Sequence, residues 1–303
     1  MRAPSVNGIL ALSVVLALGG CTSVGTVLPD EPAPAPAPPE LARPADVAEP
    51  EPEPNSGASG PASSALPRPD WLGTRVLPLA TDGFGERLPT PPELVDRRLA
   101  TPPLPAPAPP DPVDERFAAE VMAVPQGVLD RSTWTDACPV RVEELRYVTV
   151  HHFGFDNRVH VGELIVHADV ATDVVAVFAA LHRARFPLEQ VRVIRTEELS
   201  APPTGDGNVT SAFVCRPTVG GTRWSEHAFG RAIDLNPFHN PYVRGDLIIP
   251  ELAGAYVDRT DVRPGMIVAG DPVTEAFASI GWGWGGDWSG SATDPMHFSA
   301  SGR

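Results

Sequence analysis

The sequence predicts an α+β domain built on a largely antiparallel sheet and preceded by a disordered proline-rich tether. Three observations carry this. Two β-rich runs, Leu145–Phe153 and Arg158–His167, are separated only by a turn around Gly154–Asn157, the arrangement of a hairpin. Helices and strands do not alternate regularly afterwards, which argues against a parallel βαβ sheet. Of the 37 prolines, 25 fall in residues 1–112. Proline removes a backbone donor and fixes φ, so this density opposes a packed core in the first third. The remaining chain, about 190 residues, suffices for one domain.

Taken in order, Arg2 precedes an apolar run from Ile9 to Leu18 that ends in Gly19-Gly20-Cys21. Ten apolar residues are too few to span a bilayer and suit the h-region of a signal peptide over residues 1–20. The Leu18-Gly19-Gly20-Cys21 ending resembles the bacterial lipobox, which implies lipidation of Cys21 and a membrane lipoprotein facing the cell wall. Release as a soluble secreted protein is the alternative. Residues 21–112 then read as a linker, with Pro-Ala and Glu-Pro alternation from Pro32 to Pro54, a Ser/Gly stretch from Asn55 to Ser64 and a proline block from Pro102 to Pro112. That composition favours polyproline II and solvated coil. The island from Trp71 to Leu99 carries Leu72, Val76, Leu77 and Phe84; it is read as solvated linker, with docking on the folded domain as the alternative.

The folded part is assigned to residues 113–303, with its core at about 132–303. After the hairpin, Val170–Arg185 places Val174, Val177, Phe178 and Leu181 on one helical stripe. Pro187 stops this helix. Val191–Ile194 reads as a short strand and Thr274–Ile280 as a second helix. Ala232–Leu235 and Met296–Phe298 are brief apolar pieces around metal-type side chains. The formal charge of −15 lacks the basic footprint of a nucleic-acid binder.

With Cys21 set aside, Cys138 and Cys215 form an even pair in an exported domain, and a disulfide is the natural reading. A catalytic thiol at Cys215 is the rival, disfavoured because an exported free thiol oxidises.

The chemistry lies in the last eighty residues. Ser225-Glu-His227-Ala-Phe-Gly230-Arg-Ala-Ile-Asp234 is followed by Asp294-Pro-Met-His297-Phe298. Two imidazoles and a carboxylate make a sound shell for catalytic Zn²⁺ and leave a fourth position open. Seven residues of straight strand would separate His227 from Asp234 too widely, so Gly230 marks a turn that folds one back toward the other. His151, His152, His160, Glu163 and His167 might be taken for a second metal site, but strand spacing puts His160 and His167 on opposite faces, and core or surface roles are expected for them.

The paired motif resembles the VanY-like D-alanyl-D-alanine carboxypeptidase and L-alanyl-D-glutamate endopeptidase zinc peptidases, whose metal-binding fold is shared with the Hedgehog signalling domain. The resemblance runs from about Thr135 to the end. It implies Zn²⁺ held by His227, Asp234 and His297, Asp294 as general base, and peptidoglycan stem peptides as substrate. Gly281–Trp288 looks like the segment preceding the second half-motif in the endopeptidase branch. Where many relatives carry an acidic residue after His-Phe, this chain has Ser299, which puts the outer support of the site in question. Arg216 is the first choice for clamping a substrate carboxylate, with Arg223 and Arg231 as alternatives. Ser225 and Trp284 are the other expected substrate contacts; Trp282, Trp284 and Trp288 share one face if extended. A non-catalytic, zinc-containing cell-wall binding module is the alternative function.

Overall fold

A computed structural model describes residues 65–105, 110–112, 114–218 and 220–303. The signal segment, Cys21 and the linker through Ser64 lie outside these residues.

Two single-turn helices, α1 (Pro92–Val95) and α2 (Gln126–Leu129), flank a short edge strand, β1 (Ala119–Met122). The expected hairpin follows as β2 (Leu145–Phe153) and β3 (Val159–His167), and β2 is central in an antiparallel sheet of order β1-β2-β3. Asn157 turns it with φ of 59°. The amphipathic stripe forms α3 (Ala171–Arg183), which buries Val174, Val177, Phe178 and Leu181. They join Val148, Val150, Leu164 and Val166 of the hairpin in the main core. Fully burying a side chain of this size contributes about 1.5–3 kcal/mol, so this stripe dominates the local energetics. The strand expected at Val191–Ile194 reduces to one parallel bridge, Val191 to Thr210.

The second sheet holds β4 (Ala232–Asp234). A small third sheet pairs β5 (Tyr242–Arg244) with β6 (Leu247–Ile249) and, on its other side, with β8 (Ala292–Thr293). Helix α4 (Pro272–Ser279) starts where Asp271 accepts hydrogen bonds from the Val273 and Thr274 amides at 3.0 and 2.8 Å. It leads into β7 (Gly283–Trp284), and β9 (His297–Ser299) completes the second sheet in the order β4-β9-β7. Phe277 of α4 stacks on Phe298 at 4.0 Å between centroids, which fixes β9 against the main core.

Residues 211–214 stitch the first two sheets together. The Ser211 amide donates to the Asp234 carbonyl at 3.1 Å, and Phe213 donates to Ile165 of β3, also at 3.1 Å.

Proline content assigns residues 66–105 to the linker, and here the structure differs. Leu77, Leu94 and Leu99 are buried against Phe238, Ile248, Leu252, Tyr256 and Met266. Arg97, only 1% exposed, forms a two-point ion pair with the fully buried Glu189, at 2.7 and 2.9 Å. Its Nη1 also donates to the Asp206 carbonyl at 2.8 Å. A proline-rich strap has few amides to satisfy, so it can lie extended on a surface at little hydrogen-bonding cost while its leucines fill that surface. Packed chain therefore begins well before residue 113.

Candidate metal centre

The first half-motif is a tight reversal. Ser225 caps the turn Glu226–Phe229, its Oγ accepting from the His227 amide at 3.4 Å. Gly230 ends the turn with φ of +67°, and a Cβ there would lie 2.6 Å from the His167 nitrogen of β3. Both demands exclude other side chains. The reversal brings His227 alongside β4, whose last residue, Asp234, sits directly opposite His297 in the β4–β9 register. One turn and two strand ends thus supply the three side chains.

Their donor atoms converge. His227 Nε2 lies 3.2 Å from His297 Nδ1 and 3.2 Å from Asp234 Oδ1, and His297 Nδ1 lies 3.0 Å from Asp234 Oδ1. A tetrahedral ion with bonds of ~2.0–2.1 Å sets its ligands roughly 3.3 Å apart, so the trio matches one face of such a polyhedron. Each imidazole is oriented from behind. His227 Nδ1 is 2.5 Å from the Ala212 carbonyl, and His297 Nε2 is 3.0 Å from the Arg303 main-chain oxygen. Both oxygens only accept, so the outer nitrogens carry protons, and each ring, when neutral, has its lone pair facing inward.

Charge follows the same geometry. Burial alone would raise the Asp234 carboxyl, but His227 and His297 hold it well below the usual carboxylate range. Burial would lower the His297 imidazole, but Asp234 raises it to about 9. A cation entering the trio must displace that proton. Among the described residues no other group of metal-type side chains converges in this way. His160 is taken up by Asp111 at 2.9 Å and Asp156 at 3.0 Å.

Asp294 stands beside the trio. Its backbone amide donates to the Gly285 carbonyl at 2.9 Å, and a Cβ on Gly285 would meet the Asp294 carbonyl oxygen at 2.4 Å. Its Oδ1 is buried without a hydrogen-bond partner among the described residues. Burial and the Asp234 charge push this carboxyl up to about 8, with His297 and Arg216 acting in the opposite sense. A cation held by the trio would offset the Asp234 charge and lower this carboxyl, leaving it ionised to accept a proton.

Residues 219–300 match the family model described as D-alanyl-D-alanine carboxypeptidase. The match supports a peptidase. It takes in His227, Asp234, Asp294 and His297, spans little more than a quarter of the chain, and leaves out Arg216 and all three cysteines. No curated protein and no solved structure matches the chain.

The structure carries the Cys138–Cys215 disulfide, which sets Arg216 next to a covalent anchor. Disulfide and peptidase match together fit an exported protein. Among the described residues no helix is long and apolar enough to cross a membrane. Of the alternatives to Arg216, Arg231 pairs with Asp169 at 2.8 Å and Arg223 is exposed. Ser225 caps the His227 turn, and Trp284 Nε1 donates to the Pro295 carbonyl at 2.8 Å. The tryptophan that approaches the trio is Trp288, 5.6 Å from the His297 ring between centroids. In the sequence Trp288 is one of an aromatic series with Trp282 and Trp284 and is not distinguished from them. The contact between Arg303 and His297 leaves no sequence signal, because a main-chain oxygen carries no residue identity.

Proposed function

We propose that the chain is a zinc-dependent peptidase that hydrolyses peptide bonds in peptidoglycan stem peptides, of the D-Ala-D-Ala carboxypeptidase or L-Ala-D-Glu endopeptidase type. The observation that carries this reading is the convergence of the His227, Asp234 and His297 donors within 3.2 Å beside Asp294, whose Oδ1 is buried without a hydrogen-bond partner among the described residues. Zn²⁺ held by the trio supplies Lewis acidity, polarising the scissile carbonyl and acidifying water.

The chain's own residues do the rest. Asp294 accepts the proton of the attacking water as its oxygen bonds to the carbonyl carbon, then delivers it to the amine as the C–N bond breaks. Arg216 holds a free substrate carboxylate in a two-point clamp. Both cleavage types offer such a carboxylate near the scissile bond. Trp288 and Trp284 wall the cleft, while Ser225 acts through the turn it caps. In this reading Cys21 is the lipid anchor to the membrane, and residues 22–64 are the tether.

The test is digestion of labelled muropeptides by the purified protein with and without chelator, read by mass spectrometry. Chelator-sensitive release of one product is expected, lost in His227→Ala. In Asp294→Asn, turnover should fall about 10²–10⁴-fold while bound metal is retained. Intact protein that binds one equivalent of zinc and gives no product is instead a cell-wall binding module.

A further inference from the structure

Beyond β9 the chain folds back on itself. Ser299 is fully buried, and its hydroxyl lies 2.9 Å from the Arg303 amide and 2.9 Å from the Arg303 carbonyl. Gly302 makes the bend with φ of +74°. Trp288 Nε1 donates to the Gly302 carbonyl at 3.0 Å. The bend also packs tightly on β7, since a Cβ on Gly283 would meet Gly302 Cα at 2.5 Å. These contacts bring one atom, the Arg303 carbonyl oxygen, to 3.0 Å from His297 Nε2.

We propose that Ser299 and the main chain of Arg303 form a positioning clamp that selects the tautomer and ring orientation with which His297 meets a metal ion. The inference rests on reading His227, Asp234 and His297 as a divalent-metal site. The Arg303 main-chain oxygen, whether of a peptide carbonyl or of a terminal carboxylate, accepts and does not donate, so it retains only the ring that carries a proton on Nε2. The neutral ring then has its lone pair on Nδ1, the atom 3.0 Å from Asp234 Oδ1 and 3.2 Å from His227 Nε2. The other tautomer would carry its proton on Nδ1, where the metal bond must form, and leave an unpaired nitrogen against the Arg303 oxygen.

The turn is closed by two amides, Gly302 donating to the Ser299 carbonyl at 3.1 Å and Arg303 donating to the Ser299 hydroxyl. The second bond made by the Ser299 hydroxyl goes to the carbonyl that holds the histidine, and that bond gives the serine a role in the site. The Arg303 side chain takes no part in it. Ser299 is a positioning residue, acting on the site only through that carbonyl.

The experiment titrates the full exported chain with zinc alone against a competing chelator, and records the absorption spectrum of the cobalt-substituted protein and thermal unfolding without metal. Ser299→Ala should weaken zinc binding about 10–100-fold, the usual cost of losing an outer-shell partner, and alter the cobalt spectrum. Arg303→Ala, which keeps the carbonyl, should match wild type in both. Trp288→Phe keeps the ring and loses the bond to Gly302, so it should also weaken binding, and it carries the test where Ser299→Ala does not fold. Wild-type affinity and spectrum in Ser299→Ala, or in Trp288→Phe where it stands in, overturn the clamp alone. Wild-type protein that takes up no zinc overturns the clamp and the metal site together.

Discussion

Replacing Arg97 with alanine should strip the proline-rich strap from the domain. The side chain is 1% exposed and its partner Glu189 is 0% exposed, so Arg97→Ala takes the two-point partner from an interior carboxylate and leaves it only Arg68 and Asn208, each at 2.7 Å. Breaking a buried pair from one side costs about 3–5 kcal/mol. A second route gives a similar figure. Burial would raise the Glu189 carboxyl, yet Arg97 and then Arg68 hold it down to about 2, against 4.5 for the free side chain. That difference corresponds to about 3 kcal/mol at neutral pH. The mutation also unpairs the Asp206 carbonyl and removes the guanidinium from over Phe238, 4.4 Å from the ring centroid.

The assay is urea unfolding at pH 7, followed by the same measurement across acid pH. Because the folded Glu189 titrates below its unfolded value, its contribution is complete above pH 4.5 and disappears as pH falls toward 2. His239, whose Nε2 lies 2.8 Å from the Arg97 carbonyl, is lowered by burial to about 4. It therefore destabilises the folded state as pH falls below about 6.5, where the unfolded chain takes up the proton first. Wild type should lose stability steadily from about pH 6.5 downward, and Arg97→Ala should lack the Glu189 part of that loss. Replacing both partners, Arg97→Met with Glu189→Leu, should be milder than Arg97→Ala alone, since the one charge that loses its partner is Arg68, whose side chain is 29% exposed and reaches water. A loss of less than about 1 kcal/mol in Arg97→Ala would refute the argument.

Two further perturbations probe the centre and its frame. Gly230→Ala forces a Cβ to 2.6 Å from the His167 nitrogen at a φ of +67°, and should weaken zinc binding by displacing His227 as well as lowering the melting temperature; unchanged affinity would separate that turn from the site. Reducing Cys138–Cys215, which closes a separation of 77 residues, should cost at most about 4.5 kcal/mol in the chain-entropy model, measurable by urea unfolding with and without reductant.

The stripe of α3 was legible because its burial repeats with the helical period of 3.6; the hairpin was legible from two β-rich runs parted by a turn, not from alternation, since β3 is buried at every position but its last. The trio was legible because its residue types are chemically restrictive and Gly230 marks the reversal between two of them. The strap was not. Leu77, Leu94 and Leu99 follow no period, because each faces a cavity shaped by residues 238–266 rather than by its own segment. Arg97 reads as one more arginine among 23 basic residues, and only Glu189, 92 positions later, reveals its place. Val191–Ile194 failed in the opposite direction, since local β propensity was satisfied by a single bridge.

The docked strap also changes the proposed tether. With Cys21 as anchor, roughly 45 residues separate it from Leu66, and at ~3.1 Å each in polyproline II they reach at most about 140 Å. Composition alone allots about twice that to the whole proline-rich region. The two halves of the region should therefore respond differently to deletion. Shortening within residues 22–64 should reduce wall cleavage in cells and leave hydrolysis of soluble muropeptides unchanged, because only reach is lost. Deleting residues 66–104 should abolish both, because Glu189, Tyr256 and the lobe that buries Leu94 and Leu99 lose their partners. Soluble activity that survives the second deletion would show that the strap is ballast on an independent domain. Equal loss in both assays after the first would make residues 22–64 part of the enzyme, and reach would then explain nothing.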